Sequence, residues 1–257
     1  MDKQKRLMIN DMLCIIRDAT MPDNVKYIFE AYLKREDKNV IKPIFNLFAD
    51  TFITLHSYCL LMQNFAWSQA GALLRIAIEQ VSTLFVLTWN KESVDEFLRI
   101  DSLKRRFYLL EENKEAQKQF IKENNIPLSH GKPTKYFDYG WVSIITPDHK
   151  YSRDHIIKAS HLEEFLNDID VVFNKFSHGK LTIFDFAGSD ESWQVMKKYG
   201  VRANMTCGKL FDFLCCSYDK WVSRDDFDKM TKGLFEEFKK IYLNLLSASI
   251  EKYKEIA

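Results

Sequence analysis

The chain has 257 residues, 46% of them hydrophobic, with 37 basic against 36 acidic side chains and a formal net charge of +1. That length can fill one sizeable core, and the near-neutral balance lacks the basic footprint of a general duplex-DNA binder. The five cysteines, Cys14, Cys59, Cys207, Cys215 and Cys216, are odd in number and show no C-x-x-C spacing, which argues against a disulfide framework and against a zinc site.

The opening stretch MDKQKRLMINDML breaks its short apolar run with Asn10 and Asp11, so it does not read as a signal peptide, and a cytoplasmic location is expected. Met8, Met12, Ile15 and Ile16 recur at helical spacing up to Pro22. A short second helix carries Ile28, Phe29, Tyr32 and Leu33, closed by the polar run from Lys34 to Asn39. Pro43 suits the first turn of the next helix, whose buried stripe reads Ile44, Phe45, Phe48, Phe52, Leu55, Cys59 and Met62. His56 beside that stripe reads as a packed histidine at the edge of the core.

Trp67 to Trp89 is the stretch around which the rest is organised. It is apolar almost all the way round and long enough to cross a bilayer, but Arg75 and Glu79 sit near its centre, where each charge would cost about 2.5–3.5 kcal/mol. No membrane span is therefore expected. Arg75 and Glu79, four apart, share one face with Ser68 above them and Ser82 and Thr83 below, and this stripe must meet other polar groups inside the protein.

Ser93 with Glu96 forms an S-x-x-E capping box opening a charged helix that carries Phe97, Ile100, Leu103, Phe107 and later Phe120. From Asn124 to Ser152 the helical periodicity disappears and Pro127, Gly131, Pro133, Gly140 and Pro147 punctuate a long connection. It contains Tyr136, Phe137, Tyr139 and Trp141, so it is expected to pack and to form one wall of a pocket. Ser160 with Glu163 opens a helix ending at Gly179, which puts Ser177 and His178 in its last turn. His178 suits a helix C-terminus as a cation and is also the group expected to meet the stripe of Arg75 and Glu79. A short extended piece follows, then a helix from Trp193 to Trp221, and a last helix starting at Ser223 or Asp225.

The sum is all-α: one helical-bundle domain spanning 1–257 with a long aromatic-containing middle loop. P-loop, G-x-G-x-x-G, H-E-x-x-H, EF-hand and G-x-S-x-G patterns are missing from the sequence, and the spacing of six between His149, His155 and His161 does not suit a helical metal site. Neither a cofactor nor a metal is expected.

The segments ALLRIAIEQ (Ala72–Gln80), YGW (Tyr139–Trp141) and FNKFSHG (Phe173–Gly179) resemble an uncharacterised bacterial all-helical family with an Arg/Glu helix and a later Ser-His element. That group is similar to the HEPN superfamily, helical bundles that often dimerise and include RNA-cutting toxins and phage-defence effectors. The resemblance implies a HEPN-like fold, a phage-defence or toxin–antitoxin context and, with the 14% aromatic content, a homodimer. It places Asn174 and His178 on the polar and histidine positions of the HEPN ribonuclease motif, but the motif arginine position holds Phe173. Arg75, Glu79 and His178 are the candidate catalytic residues, and Tyr139, Trp141, Asn174 and Ser177 the candidate ligand contacts, with RNA or a small molecule as ligand. The first reading is a structural or ligand-binding role. The alternative is a metal-independent endoribonuclease of HEPN type, with His178 as general base toward a ribose 2′-hydroxyl and Arg75 stabilising phosphate charge.

Overall fold

The computed structural model describes residues 3–163 and 190–254, with side chains described over 3–163 and 199–247. Among these residues there are eleven α-helices, one 3-10 helix and no strand. The helices are α1 (Lys3–Ala19), α2 (Pro22–Leu33), α3 (Lys38–Gln63), α4 (Trp67–Trp89), α5 (Lys91–Tyr108), α6 (Lys114–Glu123) and α7 (Thr134–Tyr139). The 3-10 helix Gly140–Ile144 follows, then α8 (Arg153–Ala159), α9 (Asp190–Trp221), α10 (Arg224–Thr231) and α11 (Leu234–Lys254).

The stripe read from the sequence of α3 is its buried face: Ile44, Phe45, Phe48, Phe52, Leu55, Cys59 and Met62 are all buried. Phe48 and Phe52 meet the ring of Tyr218 on α9 edge-on, at 5.3 and 5.9 Å between centroids, a geometry that the aromatic quadrupole favours. The Tyr58 hydroxyl, fully buried, donates to Asn204 Oδ1 at 2.8 Å, so the third helix is tied to the ninth by a hydrogen bond inside the core. α4 packs against α3, α9, α8 and α5, which gives it the central position.

Several boundaries differ from the sequence reading. Pro22 does not end the first helix but begins the second, where its missing N–H costs nothing. Pro43 lies inside α3, which starts at Lys38. The cap of α5 is Asn90, whose side chain accepts from the Ser93 amide, so Ser93 is inside the helix and not its start. Asn113 makes the same cap for α6 and separates it from α5. The expected last helix is two, divided where Lys232 and Gly233 take left-handed backbone at φ of 53° and 73°.

α4 is less buried than its composition predicts. Ala70, Leu74, Ala77, Ile78, Val81, Leu84, Val86 and Leu87 are buried, yet Ile76 is 48% exposed and Arg75 and Glu79 are half-buried. α3 and α4 are both long and apolar enough to cross a membrane. His56 is half-buried with Nδ1 2.9 Å from the Arg17 carbonyl, the edge position its sequence neighbours imply.

Candidate functional site

Residues 124–152 are not a plain loop. Gly140 passes the chain from α7 into the 3-10 helix at a point where a Cβ would meet the Tyr136 ring at 2.5 Å, so no larger residue fits without a shift there. The aromatic residues expected to make this segment pack do so: Trp141 is fully buried, edge-on to Phe97 of α5 at 5.6 Å, and Phe137 lies 5.2 Å from Phe107. Periodicity could not reveal α7 and the 3-10 helix because six and five residues are too short to show it.

This folded segment forms one side of a cavity of about 630 Å³, with α3, α4 and α5 as the others. Glu79, Gln80, Tyr139 and Trp141 are among its lining residues, as are Asp101 and Asp138. The volume falls within the usual range of small-molecule clefts, roughly 300–1,000 Å³.

Glu79 is the residue on which the cleft wall converges. The Tyr139 hydroxyl donates to Oε1 at 2.9 Å, and Arg153 Nε of α8 lies 3.2 Å from Oε2. Burial, reinforced by the Glu79 charge, pushes the Tyr139 phenol well above its usual range, so it stays protonated and able to donate. The sequence reading expected Arg75 and His178 around this carboxylate. Among the described residues its cation is Arg153, which local spacing could not reveal because the two positions lie far apart in the chain.

Two further ion pairs lie on the lining. Lys104 Nζ reaches Asp138 at 2.7 Å and Arg105 Nε reaches Asp101 at 2.6 Å. Asp50, exposed at the rim, adds a carboxylate. Gln80 Oε1 and Arg153 Nη2 are buried without a hydrogen-bond partner among the described residues, as are polar atoms of Asn24, Ser93, Ser217, Tyr218 and Thr231 elsewhere in the fold. Buried polar atoms are rarely left so unless water or a ligand completes them.

Of the residues singled out in the sequence, the structure brings Glu79, Tyr139 and Trp141 to one cavity, while Arg75 is half-buried one turn before Glu79 on α4. Asn174, Ser177 and His178 lie outside the described residues, as does the helix expected to carry them. Ser160, expected to cap that helix, stands at the C-terminal end of α8. Its hydroxyl donates to the Ile157 carbonyl at 2.8 Å and lies 2.9 Å from the buried Ser82 hydroxyl of α4. His149 and His161 both occupy left-handed turns, at φ of 52° and 58°, and no group of three potential metal ligands occurs among the described residues.

Searches against protein-family models, curated proteins and solved structures match nothing.

Proposed function

We propose that this protein binds a small organic molecule in the cleft between α3, α4, α5 and the segment 134–145. The observation that carries this reading is the cavity itself, about 630 Å³, whose lining joins the apolar rings of Phe97, Phe137 and Trp141 to the polar side chains of Glu79 and Gln80. The ligand fits by chemistry: an apolar or aromatic body against Phe97, Phe137 and Trp141, with amine or amide N–H groups directed at Gln80 and Glu79. The carboxylates of Asp50, Glu79, Asp101 and Asp138 outnumber Lys104 and Arg105 on the lining, so a polyanion is the poorer fit. The unpaired thiols of Cys14, Cys59, Cys207, Cys215 and Cys216 suit a reducing compartment, which supports a cytoplasmic setting.

The test is thermal stabilisation and calorimetric titration with aliphatic amines, neutral nucleosides and nucleoside monophosphates. Amines or nucleosides should raise the melting temperature, and Gln80→Leu should weaken the binding at least tenfold. Failure of all three classes to bind overturns the reading. The ribonuclease alternative rests on the HEPN resemblance and on Asn174 and His178. Cleavage of mixed single-stranded RNA in chelator, lost in His178→Ala, would put that alternative ahead.

A further inference from the structure

A second cavity, of about 450 Å³, lies where the end of α2 meets the turn from α9 into α10. It shares no lining residue with the cleft and carries the opposite charge: Lys34, Arg35, Lys220 and Lys229 line it against Asp225 and Asp226. Asp226 is already neutralised, because it is buried, ion-paired with Lys34 and accepts from the Ser223 hydroxyl at 2.8 Å. What remains on the lining is an excess of cations.

Arg35 is the fixed point among them. Its Nε and Nη2 donate to the two carboxylate oxygens of Asp37 at 2.8 and 2.9 Å, and its Nη1 donates to the Trp221 carbonyl at 2.9 Å. The guanidinium also lies over the Trp221 ring, 5.8 Å from its centroid. That ring is held in turn by a 2.9 Å hydrogen bond from its Nε1 to Thr88 of α4 and by edge-on contact with Phe45 of α3. A guanidinium has five N–H groups, so with three engaged one remains on Nη1 and one on Nη2. Held in place before any ligand arrives, such a group binds phosphate oxygens with little further loss of side-chain freedom.

Lys220 and Lys229 are exposed and have no ion-pair partner among the described residues. Helix C-termini favour cations on their own account, and Lys34 and Lys220 stand at the ends of α2 and α9. That interaction needs no hollow, whereas here four cations border a common one.

We infer that this cavity binds the phosphate group of a small phosphorylated polyol. Arg35, Lys220 and Lys229 take the phosphate, Asp225, exposed on the same lining, accepts hydroxyl groups of the ligand body, and Trp221 and Val222 offer it apolar surface. A polynucleotide backbone fits less well, because the cations border one pocket and not a track, and the Asp225 carboxylate stands among them.

Calorimetric titration of the full chain with glucose 6-phosphate, glucose and inorganic phosphate tests the inference. Glucose 6-phosphate should bind, inorganic phosphate should bind more weakly, and glucose should not bind. Arg35→Gln should weaken the sugar phosphate about tenfold or more. Because Arg35 also ties α2 to the end of α9, the double variant Lys220→Gln/Lys229→Gln is measured beside it; it should lose affinity to a similar degree with an unchanged melting temperature. Lys118→Gln, an exposed lysine of α6, should bind as the wild type does. Failure of glucose 6-phosphate to bind at millimolar concentration, or binding that survives in the double variant, overturns the inference. Inorganic phosphate binding as tightly as the ester would overturn the assignment of a polyol.

Discussion

The hydroxyl of Tyr139 donates to Oε1 of Glu79 at 2.9 Å, joining the short α7 to the centre of the molecule across sixty positions of chain. Replacing Tyr139 with Phe removes one hydrogen bond to a carboxylate and leaves the ring in place. Because Glu79 is about one-third exposed, water compensates in part, and a loss of about 1 kcal/mol is expected. Chemical denaturation measures it. A larger effect is expected on ligand affinity, since Glu79 would then be positioned by Arg153 alone.

Glu79 and Arg153 should couple energetically. A double-mutant cycle with Glu79→Gln and Arg153→Gln is expected to give an interaction of about 0.5–1 kcal/mol, the range for an ion pair only partly withdrawn from solvent. Denaturation midpoints of the four proteins decide it, and strictly additive effects would show that the contact contributes nothing.

Trp141→Ala should be the most damaging substitution in the cleft wall. The indole is fully buried, packs edge-on against Phe97 and donates from Nε1 to the Asp138 carbonyl at 3.3 Å. Large aromatic truncations of this kind cost about 3–5 kcal/mol. Calorimetric unfolding should show the loss, and the variant should bind none of the cleft's ligands.

Alkaline pH should unfold the protein through its tyrosines. Burial raises the phenols of Tyr58, Tyr218 and Tyr242, and burial together with Glu79 raises that of Tyr139. The unfolded chain therefore releases these protons first, near pH 10, so their contribution to stability is complete below that value and is lost as pH rises above it. Tyrosinate absorbance followed against pH should show a fraction of the eleven tyrosines ionising only as the fold is lost. Ionisation of all eleven near pH 10, with the helix content intact, would refute this.

The buried face of α3 and the packing of Trp141 were legible in the sequence, because large apolar groups at fixed spacing, or aromatic rings in an otherwise polar connection, have few places to go. The partner of Glu79 was not. Helical spacing reports neighbours within one element, and Arg153 approaches from another helix entirely. The cap of α5 was misplaced because Asn90 and Ser93 are equally able to accept an amide, and only the backbone geometry distinguishes them. The composition of α4, apolar almost all the way round, suggested burial of its apolar side chains, whereas Ile76 is open to solvent. Composition predicts which residues tolerate burial, not which receive it.

Gly208 on α9 lies where Met12 of α1 and Tyr242 of α11 converge: a Cβ there would stand 2.8 Å from the methionine sulfur and 3.1 Å from the tyrosine ring. Both ends of the described chain therefore close over one spot on α9, and α1 packs against α11 as well as α3. During synthesis α1 emerges well before α9 and α11, and the surface it shares with them does not exist until both have been made. Its apolar side, Met12 and Ile16 included, must wait unpaired or find temporary cover until those helices arrive, so this part of the core is among the last to close.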